Sequence, residues 1–119
     1  MRVFIYRNLH RKCWSVKALS GPDKGRVVQH CDNFELLDAE FRVSEAGRQR
    51  VLREKRKNVH AGIVGTLAGT EAVVAEGVEV SYNPYRSGYF FRRSDGAAVA
   101  RATRVVGNGR CVVVQGELQ

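Results

Sequence analysis

Cysteine is scarce. Cys13, Cys31 and Cys111 are odd in number, widely spaced and without a CxxC pair. That pattern excludes a disulfide framework and fits a reducing compartment. Long apolar runs are also missing, since no stretch approaches the roughly 18 residues that cross a bilayer. The opening MRVFIYRNLHRK carries charges inside its first apolar run, unlike a secretory signal. A cytoplasmic protein with no membrane partner is expected. Histidine is limited to the isolated His10, His30 and His60, with no HExxH, His-x-Glu or Cys/His spacing that would ligate a metal. His30 and Cys31 are adjacent, but neighbours on a strand face opposite ways. Gly62, Gly65 and Gly69 do not form a phosphate-cradling loop; bends or bulges suit them better. Internal repeats and low-complexity segments are absent. No enzyme, no cofactor and no metal site are therefore expected. Were there acid–base chemistry, His60 would be its best single carrier, against the commoner role of a packed, hydrogen-bonded histidine.

Acidic residues are outnumbered, 12 Asp and Glu to 20 Lys and Arg, for a net charge of +8 in 119 residues. Fifteen of the bases are arginine, whose planar fork holds phosphate bidentately and stacks on flat rings. The length suits a single domain over residues 1–119. An apolar content of 44% against 27% charged is ordinary for a folded globule. The excess charge is concentrated: Arg42 to Lys57 holds seven bases and two acids, a local +5, and the remaining segments nearly balance.

Within that stretch Ser44 supplies an N-cap oxygen and Glu45 an acid for the first turn. A helix of about three turns is predicted, ending near Asn58, a residue that tolerates the left-handed conformation. Its apolar strip is thin, Ala46, Val51 and Leu52. Arg50, Arg53 and Lys57 share the opposite face at i, i+3 and i+7.

The rest reads as strands and turns. Arg2–Arg7 and Cys13–Leu19 alternate with period two, and Ser20–Gly25 is a turn cluster before a third strand at Arg26–His30. Phe34–Val43 is ambiguous in its first half. Val59–Leu67, a short Ala72–Ala75, Val78–Tyr82 and Tyr89–Arg93 follow. Val99–Val106 and Arg110–Gln115 form a hairpin about Gly107-Asn108-Gly109. The expected class is α+β, mainly β: a curved antiparallel sheet or small barrel of about eight short strands with one basic helix.

Two regions suit an anionic ligand. The basic helix offers Arg50, Arg53, Arg56 and Lys57 as phosphate contacts, the bland alternative being a solvated face. Tyr82 to Arg93 packs five aromatics and three arginines into twelve residues. There Tyr85, Arg86 and Tyr89 are candidates to stack or clamp, although aromatic strands also build cores. Asn83-Pro84 is simplest as turn chemistry. A third candidate set is Arg101, Arg104 and Arg110 on the terminal hairpin, where Arg101 and Arg104 are three apart and so point to opposite faces.

Three blocks stand out together: YRNLHRKCWSV (Tyr6–Val16), KRKNVHAGIVGTL (Lys55–Leu67) and VSYNPYRSGYF (Val80–Phe90). Over most of its length the chain resembles short uncharacterised proteins encoded by tailed phages and prophages. The resemblance implies a small accessory protein of the host bacterial cytoplasm and carries over no functional residue. The leading expectation is a non-enzymatic binder of a phosphate-bearing ligand, with nucleic acid first. The alternatives are a counter-defence sponge for a cyclic signalling nucleotide, and an inhibitor docking an acidic host protein. A homodimer is compatible with a sheet that leaves edges free.

Overall fold

The strand-like alternation at the N-terminus becomes a ladder in the computed structural model, which describes residues 1–56, 58–71 and 76–119. Arg2–Asn8 (β1), Cys13–Ala18 (β2) and Val27–Cys31 (β3) form an antiparallel meander. Val3 and Ile5 are fully buried, and Phe4 and Tyr6 on the other face are half-buried. Asn33–Val43 (β4) is strand throughout and paired on both flanks, which resolves its ambiguous first half. Glu45–Glu54 (α1) follows, and Ala61–Gly69 (β5) returns alongside β4. Val78–Ser81 (β6), Phe90–Arg92 (β7), Ala98–Val99 (β8), Arg101–Asn108 (β9) and Cys111–Leu118 (β10) complete the chain. The expected strand Ala72–Ala75 lies outside the described residues.

Among the described residues these ten strands make one antiparallel sheet in the order β3-β2-β1-β5-β4-β9-β10-β6-β7-β8. This corrects the expectation of about eight strands in a curved sheet or small barrel. The sheet is open. Closure would need its edge strands to share a ladder, but β8 has two residues, and β3 carries Val27 and Val28 outward, 42% and 41% exposed. The count rises partly because the expected strand Val99–Val106 divides at Ala100. That residue's carbonyl accepts from Phe41 N at 2.8 Å and its N–H donates to Gln119 O at 2.7 Å. β8 thereby pairs with β7, whereas β9 pairs with β4.

The two wings of the sheet bend toward each other around a core of Val3, Ile5, Trp14, Val16, Phe34, Leu36, Ile63, Val105 and Val114. A bulge on β4, where Asp38 takes φ 50°, contributes to the bend. Phe90 on β7 reaches Phe41 on β4 with ring centroids 4.9 Å apart, although three strands separate them in the sheet. On the other wing Trp14 packs edge-on to Phe34 at 5.0 Å.

The terminal hairpin is present with its turn displaced. Asn108 pairs with Cys111, so the two-residue loop is Gly109-Arg110, with Gly109 at φ 61°. Gly107 is not in the turn but within β9, opposite Phe34, and a Cβ there would stand 2.1 Å from the Phe34 ring. Its lack of a side chain seats that ring.

The helix is also shorter than expected. Ser44 Oγ accepts from Gly47 N at 3.2 Å, as an N-cap should. The C-cap is Lys55 rather than Asn58, with φ 58° and its N–H donating to Val51 O at 2.9 Å. The ladder dictates this stop: Val43 pairs with Ala61, and Ser44 N donates to His60 O at 2.6 Å, so the chain must return within a few residues. Val51 is the buried residue of α1, and Leu52 is half-buried.

Candidate functional site

Between the wings lies a cleft of about 860 Å³, within the range of ligand pockets, roughly 300–1,000 Å³. Its floor is apolar, made by Ile5, Trp14, Ile63, Val80, Phe90 and Val112. One wall is the end of β1 with its turn, Tyr6 to His10. A second is the helix exit, Lys55, Arg56 and Asn58 to Gly62. The third is the loop Ser81 to Tyr85, and Arg110 closes the rim from the hairpin. All three blocks that stood out in the sequence meet here.

The charge at this cleft is one-sided. Arg7, Lys55, Arg56 and Arg110 line it, with His10 and His60, and among the described residues no Asp or Glu does. Five arginines outside the cleft are paired with acid: Arg42 with Glu40 at 3.3 Å, Arg48 with Glu45 at 3.0 Å, Arg92 with Asp95 at 2.6 Å, Arg93 with Glu79 at 3.9 Å, and Arg104 with Glu35. An uncompensated set of cations beside an apolar floor favours an anion that also carries a flat apolar group.

Each wall is held by specific bonds. At the hairpin, Trp14 Nε1 donates to Gly109 O at 2.6 Å, and Arg7 Nη1 donates to the same oxygen at 3.1 Å. The Arg7 guanidinium lies 5.4 Å from the Trp14 ring centroid. Gly109 N donates to Asp32 O at 3.0 Å, so the turn that presents Arg110 is fixed on both sides.

The opposite wall is set by His60. Its Nδ1 faces Asn58 O at 2.8 Å and must carry a proton there. In the neutral ring Nε2 is then an acceptor for the Tyr82 hydroxyl at 2.7 Å. Both ring nitrogens are occupied, so His60 is a brace between the helix exit and β6 rather than a free base. Gly47 of α1 sits on it, since a Cβ there would come within 2.6 Å of the His60 Cβ. Tyr82 stacks on Phe90 at 5.0 Å. Burial pushes the Tyr82 phenol above its ordinary pKa, Arg48 pulling the other way and Glu45 adding to the rise.

The loop after β6 is an Asx turn, as Asn83-Pro84 implied: Asn83 Oδ1 accepts from Tyr85 N at 2.9 Å. Arg48 Nε donates to Pro84 O at 2.9 Å, tying the loop to α1. Tyr85 is 59% exposed, and Lys55 Nζ lies 5.7 Å from its ring centroid.

Of the ligand-binding residues expected from the sequence, Arg56 and Tyr85 line the cleft. Arg50 and Arg53 are exposed on α1 outside it. Arg86 is drawn away, its guanidinium 4.1 Å from the Phe91 centroid, and Tyr89 is exposed beyond the cleft, its carbonyl accepting from Ser87 Oγ at 2.8 Å. Lys57 lies outside the described residues. Of the expected i, i+3, i+7 face, Arg50 and Arg53 lie on α1, which spans Glu45–Glu54. Arg110, from the arginine set of the terminal hairpin, lines the cleft as well, whereas Arg7 and Trp14 join it unannounced by the sequence. Their partnerships span about a hundred residues, and no local spacing signals them.

Fold and cleft define a small, mainly β protein whose open sheet grips a cation-rimmed cleft with no acid among its described residues. The chain belongs to the family of the Mycobacterium phage L5 gene 82 protein, whose family model matches residues 1–115. It is 43% identical over 111 residues to the gene 82 protein of Mycobacterium phage L5, covering 88% of this chain and 88% of that protein. No solved structure matches it. Among the described residues no helix is long and apolar enough to cross a membrane.

Proposed function

We propose that the protein is a non-enzymatic binder of a phosphate-bearing ligand with a flat base, single-stranded nucleic acid first, and that the cleft is where it binds. The observation that carries this reading is the lining: four permanent cations, no carboxylate among the described residues, and an aromatic-rich floor and rim. Bases stack on aromatic rings whatever their identity, and phosphates pair with Arg and Lys. Tyr85 at the rim is an accessible ring, and Lys55, Arg56 and Arg110 are accessible cations. Arg50 and Arg53 extend the basic surface beyond the cleft.

Fluorescence anisotropy with a labelled single-stranded oligonucleotide, at 50 and at 200 mM salt, tests the reading. Binding is expected to weaken with salt as counterions are released, and Tyr85→Ala is expected to weaken it at both salts by removing a stacking ring. Absence of binding, or an affinity indifferent to salt, overturns it. A free nucleotide is the second reading, favoured by the bounded volume of the cleft.

A further inference from the structure

The cations of the cleft come from two different parts of the fold. Arg7 and Arg110 are set by the hairpin turn: Arg7 through its bond to Gly109 O and its place on the Trp14 ring, Arg110 as the next residue of the same turn. Lys55 and Arg56 are set by the helix stop, where the left-handed Lys55 directs the chain out of α1 and its ammonium meets Tyr85. The two pairs thus hang on separate elements, each with its own anchoring bonds, and the same cleft runs between them over a floor of Ile63, Val80 and Val112.

We infer that the cleft holds two phosphate subsites, Arg7/Arg110 and Lys55/Arg56, and that its minimal ligand is a unit with two phosphate groups and a base, a dinucleotide in size. This rests on the function proposed above and narrows it. Two pairs of cations in one cleft, with no acid among the described residues that line it, repel each other, and one monoanion neutralises only one pair. The second pair then stays uncompensated. A ligand with a phosphate at each end relieves both. Within a DNA or RNA strand the same unit is two successive phosphates; as a free molecule it is a linear or cyclic dinucleotide.

Isothermal titration with a ladder of ligands tests the inference: a nucleoside monophosphate, a nucleoside 3′,5′-bisphosphate, a linear dinucleotide with a 5′-phosphate, a cyclic dinucleotide and a single-stranded decamer. The bisphosphate is expected to bind at least about tenfold tighter than the monophosphate, the gain of a second charge-assisted contact. Arg110→Ala and Arg56→Ala, both at exposed side chains, are each expected to erase that gain, read as the ratio of bisphosphate to monophosphate affinity in the same variant. Circular dichroism confirms that the variants are folded.

If monophosphate and bisphosphate bind alike, the two-subsite inference fails and the cleft reading stands. If the bisphosphate gain survives both substitutions, the assignment of the subsites fails. If no ligand of the ladder binds, the functional reading itself fails. The dinucleotides and the decamer separate the sources: a decamer no tighter than the linear dinucleotide indicates a free ligand, and a decamer much tighter indicates a strand.

Discussion

His60 Nε2 and the Tyr82 hydroxyl meet at 2.7 Å, joining the segment that leaves the helix to the end of β6. That bond spans two walls of the cleft, and the rings are also in edge contact at 5.4 Å. Tyr82→Phe keeps the stack on Phe90 and removes only the hydroxyl. We expect a loss of about 1 kcal/mol, the net worth of a typical hydrogen bond, read as a fall in Tm of a few degrees. His60→Ala also removes the bond to Asn58 O and the edge contact, so it should cost more than Tyr82→Phe. Equal losses in thermal melts would show that the phenol bond is the whole of His60's role.

The same tyrosine gives the fold an alkaline limit. Burial raises the Tyr82 pKa in the folded state, so the folded protein holds the phenolic proton more tightly than the unfolded chain. The corresponding stability is fully present below the unfolded value, about 10, and is lost as pH rises through the folded one. Thermal melts from pH 9 to 11 should show Tm falling, and Tyr82→Phe should show a shallower fall over that range. Parallel curves for the two proteins would refute the assignment to Tyr82.

Arg48 serves position rather than ligand binding. It is outside the cleft, yet its guanidinium joins Pro84 O at 2.9 Å and Glu45 at 3.0 Å. Arg48→Met keeps most of the stem and removes both bonds. A bond from a charged donor is worth about 1.5–3 kcal/mol, and urea unfolding should show a loss in that range. Oligonucleotide affinity should fall as well, because the Tyr85 loop is no longer tied down. Rescue of affinity by Arg48→Lys would show that charge rather than the Nε geometry is what the loop needs.

How much of the fold is legible in the sequence follows from the sequence distance of each interaction. The β1–β2–β3 meander, the Ser44 cap and the Asn83 turn are local, and period and turn chemistry report them. The helix stop is misplaced by propensity because Asn58 is the better left-handed residue, whereas the β4–β5 ladder forces Lys55 into that conformation. The open ten-stranded sheet is hidden because Ala100 breaks an unbroken apolar alternation only through its bonds to Phe41 and Gln119. At the cleft, Arg56 and Tyr85 belong to local clusters of charge and rings, which the sequence displays. Arg7 and Trp14 become visible only once Gly109, some hundred residues away, is placed on them.

Gly107 offers a check of packing. With the Phe34 ring 2.1 Å from where a Cβ would stand, Gly107→Ala requires that ring, fully buried in the core, to move. Overpacking of this kind costs typically about 1–3 kcal/mol. Gly69→Ala is the control, since nothing lies within 4 Å of the added carbon and its φ is not in the left-handed region. Urea midpoints should drop for the first and hold for the second. A neutral Gly107→Ala would mean that Phe34 has room to rotate.

The helix arginines and the cleft cations should part company when ligand length is varied. Arg50 and Arg53 are exposed on α1 and do not line the cleft, so a ligand confined to the cleft does not reach them. The double variant Arg50→Ala/Arg53→Ala should therefore bind a dinucleotide as the parent does. A longer single strand continues past the cleft, and deleting each cation that pairs with one of its phosphates should flatten the slope of log K against log salt by about 0.7. Deleting two should flatten it by about 1.4, a change easily read between 50 and 200 mM salt. If the slope for a long strand is untouched, the excess charge on α1 is a solvated surface and recognition ends at the cleft. If dinucleotide binding falls instead, the helix face takes part in the cleft's own chemistry, and the ligand lies across α1 rather than between the sheet wings.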